Sequence, residues 1–138
     1  MVKKILFVCL GNICRSPAAE GILKKKLKDR DLEKLFVVDS AGTGGWHVGN
    51  LADPRMRETA LSRGIELTSR SRQIEENDLY EFDHILVMDK DNLHAVKLLT
   101  KNKLDSIKSK IKLILSYSKD SQLDEVPDPY YGGQNGFD

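Results

Sequence analysis

Near its start this chain passes from an apolar run, through a short loop, into a helix signal, and that passage constrains the fold more than any other feature. Ile5-Leu6-Phe7-Val8 reads as a short apolar strand that delivers a cysteine into a loop. Cys9-Leu10-Gly11-Asn12-Ile13-Cys14 has neither helical nor strand periodicity, and Arg15-Ser16-Pro17 follows it. Ser16 is expected to cap a helix with Pro17 at its first position. Ala19, Leu23 and Leu27 then recur on one face at a spacing of four. An apolar strand feeding a helix through a tight loop is the opening unit of a parallel sheet.

The rest of the chain continues the alternation. A second strand is expected over about Leu35–Asp39, followed by a glycine-rich loop from Ala41 to Gly49. Asp53-Pro54 signals a helix that ends near Gly64, with Met56, Ala60 and Leu61 inward. His84–Met88 reads as a third strand, and a helix from Asp89 buries Leu93, Val96 and Leu99. A fourth strand is expected at about Lys112–Leu115. Around Pro127 and Pro129 the tail lacks donors, so Glu125–Gly133 forms neither helix nor central strand. The expected architecture is α/β: three layers, with a four-stranded parallel sheet and helices on both faces. In such sheets ligands bind at the carboxyl ends of the strands. Cys9 sits at one such end and Met88-Asp89 at another.

With 138 residues, one domain spanning 1–138 is expected, large enough to bury a core without disulfides or metals. The net charge of +1, from 22 basic and 21 acidic residues, makes no electrostatic case for nucleic acid. Lys24, Lys25, Lys26 and Lys28 are read as the solvated face of a helix. No apolar stretch approaches the roughly 20 residues that span a bilayer, and Ile5–Leu10 is too short for a signal-peptide core. The expectations are therefore a cytoplasmic protein with no membrane or nucleic-acid partner, and a monomer by default. The two cysteines, Cys9 and Cys14, stand too close together to staple a fold.

The opening loop has the makings of an anion site with a nucleophile at its floor. A loop curling into a helix turns backbone N–H groups inward, and the helix dipole adds positive potential. Gly11 supplies backbone freedom, and Asn12 tolerates a left-handed angle and can pin the loop through its amide. Arg15 can grip two phosphoryl oxygens with its planar fork. Helix N-termini and nearby cations favour a thiolate, which attacks phosphorus and splits hydrolysis into two easier steps. Ser16 can donate to the sulfur. An acid must protonate the leaving oxygen, and Asp128 in Asp-Pro-Tyr-Tyr is the candidate. Trp46, Tyr130 and Tyr131, with Ile13, could line a slot for an aromatic leaving group.

Plainer readings stand beside these. A bare Cys-x5-Arg occurs by chance; the strand before it, Gly-Asn within it and Ser-Pro after it make it specific. Cys14 either packs or pairs reversibly with Cys9 under oxidation. Asp128 could be a turn-forming Asp-Pro, and Trp46 a core or loop-anchoring aromatic. His47, His84 and His94 read as surface or strand-end residues. A zinc site is disfavoured by Gly-Asn-Ile between the cysteines and by Arg15 beside Cys14.

Val8–Pro17 together with Asp128–Gly132 resembles the low-molecular-weight protein tyrosine phosphatases. The resemblance extends through Asp39-Ser40-Ala41-Gly42, Trp46-His47-Val48-Gly49, Asp53-Pro54-Arg55, Arg72-Gln73 and Met88-Asp89 with Asn92. It implies Cys9 as nucleophile, Arg15 as phosphoryl binder and Asp128 as general acid. Leu10, Gly11, Asn12, Ile13, Cys14 and Ser16 would form the phosphate-binding loop, with Ser40 a further member of its network. Trp46, Tyr130 and Tyr131 would flank the substrate ring. The resemblance implies the four-stranded fold, a phosphotyrosine protein as substrate, and no metal or cofactor. Two departures stand out. Ser69 occupies a position where many members carry a loop-bonded histidine, and Asp138 falls where the family's final helix would begin.

Other functions fit the same scaffold less well. Thiol-dependent arsenate reductases need further cysteines for a disulfide relay. Protein-arginine phosphatases carry a threonine where Ile13 stands, and an apolar Ile13 favours an aryl phosphate. A non-catalytic phosphopeptide-binding module would have no need of nucleophile, arginine and acid together.

Overall fold

A computed structural model of the chain describes residues 2–45, 47–100 and 109–114. The apolar run at the start becomes the inner strand β1, Lys3–Cys9, flanked by parallel neighbours on both sides. β2, Phe36–Gly42, pairs with it from Lys3 opposite Phe36 to Cys9 opposite Gly42. β3, His84–Val87, pairs on the other side from Ile5 opposite His84 to Val8 opposite Val87. β4, Lys110–Leu113, completes the order β2-β1-β3-β4. The four parallel strands match the expected sheet.

Strand alternation divides the core into two faces. Phe7 and Cys9 of β1, with Val38 of β2, pack against Leu27 of α1, Arg15–Asp29, with Ala19 and Leu23 beside it. Leu6 and Val8 point the other way, into a cluster with Ile85, Val87, Leu79, Phe82 and Val96. That cluster carries α3, Asp78–Glu81, and α4, Lys90–Leu99. Val96 is fully buried, with Leu93 and Leu99 packed partly buried beside it. A third cluster joins Ile13 and Cys14 of the opening loop to Ala52, Leu67 and the residues Met56 and Ala60 of α2, Pro54–Ser62. Lys24, Lys25, Lys26 and Lys28 are exposed, as a solvated helix face requires.

Several boundaries differ from expectation for identifiable reasons. β2 runs on to Gly42, because Gly42 N–H donates to Arg72 O and Gly42 O accepts from Ile74 N. β4 begins at Lys110 rather than Lys112: it is an edge strand whose Ile111 and Leu113 alternate inward, not an apolar run. Leu61 is 64% exposed, since one residue beyond Ala60 turns about 100° away from the buried stripe. The short α3 carried no periodic signal. Among the described residues, no helix is long and apolar enough to cross a membrane.

Candidate active site

Cys9 ends β1 where the sheet order reverses, so its side chain lies at the crevice between β1 and β3. The loop after it is held from outside through its carbonyls. Cys9 O accepts from Thr43 N–H and Leu10 O from Gly44 N–H, each at 2.9 Å. Gly11 O accepts from the Ser71 hydroxyl at 3.0 Å, and Ile13 O from Asp53 N–H at 2.7 Å. A trans peptide sets N–H opposite C=O. The N–H groups of Leu10, Gly11, Asn12 and Cys14 therefore face away from those outside partners. Asn12 N–H donates to the Cys9 sulfur at 3.2 Å.

The left-handed angle expected within Gly11-Asn12 falls on Asn12, with φ 57°, and not on Gly11. Gly11 matters for space instead: a Cβ there would lie 3.0 Å from the His47 ring. The Asn12 amide donates to Ser16 Oγ at 2.8 Å, and Ser16 Oγ lies 3.0 Å from Cys9 Sγ. Ser16 is not the helix cap. α1 begins at Arg15 with Cys14 at the cap position, and the Ser16 hydroxyl is directed at the sulfur. Pro17 still falls in the first turn, where no intrahelical N–H is lost.

Arg15 is 6% exposed, and its Nη1 donates to Asp89 Oδ2 at 2.6 Å. Asp89 follows β3 and caps α4, accepting from Asn92 N–H through Oδ1. The guanidinium is thus aimed by the strand beside the nucleophile's own. Asp53 caps α2 by accepting from Arg55 N–H. Partial burial raises the Asp53 carboxyl, but hydrogen bonds and charge from Arg55 outweigh it and hold the carboxyl below its ordinary value. Its own N–H braces Ile13 O.

Of the expected site residues, Cys9 ends β1, Leu10, Gly11, Asn12, Ile13 and Cys14 form the loop, and Arg15 and Ser16 open α1. Ile13 packs against Ala52 and Met56 and also lines a cleft with His47, Asn50, Pro54 and Arg57. Ser40, expected in the loop's network, is not bonded to the loop: its hydroxyl donates to the buried carboxylate of Glu20, which also receives Lys24. Ser69 makes no hydrogen bond to the loop; the neighbouring Ser71 and Arg72 do. Trp46, Asp128, Tyr130 and Tyr131 lie outside the described residues. Among the described residues, no group of three His, Cys, Asp or Glu side chains is placed to hold a metal ion.

Sequence reading placed Asp89 only at a strand's carboxyl end, named Arg72 and Gly42 only within the resemblance, and gave Ser71 no part. Gly42 is required by contact, because a Cβ would meet Leu10 O at 2.8 Å and Asn12 N at 3.1 Å. Its place in the Asp39-Ser40-Ala41-Gly42 run, the end of β2, was the available signal.

Similarity to known proteins agrees with this geometry. The family profile described as low molecular weight phosphotyrosine protein phosphatase matches residues 4–138. A low molecular weight phosphotyrosine protein phosphatase of Homo sapiens is 41% identical, over 99% of this chain and 85% of its own. Among solved structures, a protein tyrosine phosphatase from Entamoeba histolytica superposes with a TM-score of 0.90 at 43% identity, covering 98% of this chain and 85% of the other. A Drosophila arginine phosphatase also superposes at 0.90, with 37% identity over 97% of this chain and 85% of the other. The chain belongs to the low molecular weight phosphotyrosine protein phosphatase family.

Proposed function

We propose that this chain hydrolyses phosphotyrosine in proteins through a phosphoryl group carried on Cys9. The observation that carries the reading is the loop itself: its carbonyls are bonded outward, the Cys9 sulfur accepts from Asn12 N–H and touches the Ser16 hydroxyl, and buried Arg15 at the loop's end is held by Asp89. The Cys9 thiolate attacks phosphorus, the S–P bond forms and the aryl O–P bond breaks. Asp128 protonates the departing phenolate. Asp128 then takes a proton from water, whose oxygen attacks phosphorus; the S–P bond breaks, releasing inorganic phosphate and the thiolate. The Ser16 hydroxyl stabilises the sulfur each time it carries negative charge.

The Asp128 role is supported by the Asp-Pro-Tyr-Tyr motif. Trp46, Tyr130 and Tyr131 are assigned by the same resemblance to the walls around the substrate ring. Two free thiols at the site suit a reducing compartment, which supports a cytoplasmic location.

Initial rates on a phosphotyrosine peptide and on a phosphoarginine peptide, both with EDTA present, test the substrate class. Phosphotyrosine should be turned over faster, and Asp128→Asn should slow that reaction about 10²–10⁴-fold, as loss of a general acid does. Faster turnover of phosphoarginine would overturn the aryl assignment, and an unimpaired Asp128→Asn would remove Asp128 from the mechanism.

A further inference from the structure

Asn12 holds the loop's left-handed residue, and its amide is tied at both ends. Nδ2 donates to Ser16 Oγ at 2.8 Å, while Oδ1 accepts from Arg72 N–H at 2.9 Å. A backbone N–H can only donate, so it fixes which end of the Asn12 amide is the carbonyl. The NH2 end must then face Ser16. With its oxygen accepting from Asn12, the Ser16 hydroxyl has two acceptors in reach, Cys9 Sγ at 3.0 Å and Ala41 O at 3.5 Å, and a thiolate at the shorter distance takes its hydrogen. The two fixed donations, Arg72 N–H to Asn12 and Asn12 to Ser16, run toward Cys9.

The line begins at an ion cluster on the opposite side of the loop. The Arg72 guanidinium forks onto Asp78, with Nη1 to Oδ2 at 3.0 Å and Nη2 to Oδ1 at 3.2 Å, and its Nε donates to Asp39 Oδ2 at 3.2 Å. Arg72 O accepts from Gly42 N–H at 2.8 Å. Asp78 is itself fixed at the start of α3, where Oδ2 also accepts from Glu75 N–H. Burial alone would pull the guanidinium down; Asp78 and Asp39 more than offset it and keep it firmly charged. Ser69 takes no part in this line.

We infer that Arg72 is a positioning residue for the nucleophile: clamped between Asp39 and Asp78, it presents the peptide N–H that orients Asn12, and through Asn12 and Ser16 it holds a hydrogen bond on the Cys9 sulfur. The inference rests on Cys9 being the nucleophile of the proposed phosphatase. Arg15 plays a separate part, since its own anchor is Asp89. A further charge near the line among the described residues, Glu20, lies one turn beyond Ser16 on α1 and is paired with Lys24. Neither pair is altered by the substitutions below.

The test is the pH dependence of iodoacetamide alkylation at Cys9, resolved by peptide mass spectrometry, in wild type, Arg72→Met and Asp78→Asn, with folding checked by circular dichroism. In Arg72→Met the midpoint should rise by about one unit, so that thiolate at a fixed lower pH falls roughly tenfold. Asp78→Asn keeps an accepting oxygen but loses the charge, and should shift the midpoint in the same direction by less. With Arg15 still on Asp89, kcat on an aryl phosphate should fall while KM stays nearly constant. A folded Arg72→Met with the wild-type midpoint and kcat would overturn the inference. Should Arg72→Met fail to fold, a wild-type midpoint in Asp78→Asn would do the same. An inactive wild type would remove the phosphatase reading, while the alkylation curves would still decide the clamp.

Discussion

Gly42 carries no functional atom, yet the loop's shape depends on it. An added methyl would press on Leu10 O and Asn12 N, both backbone atoms that cannot rotate away. Gly42→Ala is expected to destabilise the fold by about 1–3 kcal/mol, as overpacking does, and to lower kcat more than its melting shift alone would imply. Thermal melts and initial rates on the same preparation check both. Cys14 makes a second residue-scale prediction. It packs with Ala52 and Met56, whereas Cys9 belongs to the cluster on the α1 face of the sheet. If the two pair under oxidation, peroxide converts the Cys9 thiolate to a sulfenic acid with release of hydroxide, and Cys14 displaces the oxygen as water to form the disulfide. Inactivation should then be reversed by dithiothreitol in wild type and much less in Cys14→Ala; equal reversal in both would exclude the pairing. At this scale Cys9, Asn12, Arg15 and Ser16 were legible because loop chemistry is written in consecutive residues. Asp89 and Arg72 were not, because each reaches the loop across about 60 or more positions of sequence and meets it only in the fold.

At the scale of elements, caps were readable where the side chain has no competing partner. Asp53 before Pro54 behaves as the sequence implies, and its carboxylate holds Arg55 N–H at 2.8 Å. Ser16 misleads because the sulfur and Asn12 compete for its hydroxyl. Asp53→Ala should cost about 1 kcal/mol through the lost cap, measurable by urea unfolding. Because the folded carboxyl ionises below its unfolded value, this contribution is present above about pH 4 and is lost as pH falls through the folded value. The stability gap between wild type and Asp53→Ala should therefore narrow in acid; a constant gap down to low pH would contradict the assignment. α3 escaped sequence reading because four residues show no helical period, although Asp78 at its head anchors Arg72.

For the whole molecule, the alternation of apolar runs with helical patterns was sufficient to foresee the parallel sheet and its two covered faces. The order β2-β1-β3-β4 was not written in any one segment; it follows from both neighbours of β1 pairing in register. That order puts the crevice beside β1 and β3, where the loop after β1 meets Asp89 after β3. The central claim, that this loop carries a transient phosphoryl group on Cys9, is tested most directly by acid-quenching the enzyme during turnover of p-nitrophenyl phosphate and mapping the modification by mass spectrometry. A phosphoryl group on the Cys9 peptide, with neither label nor turnover in Cys9→Ser, is the expected result. Phosphate release that persists in Cys9→Ser, with no label on Cys9 in wild type, would contradict it.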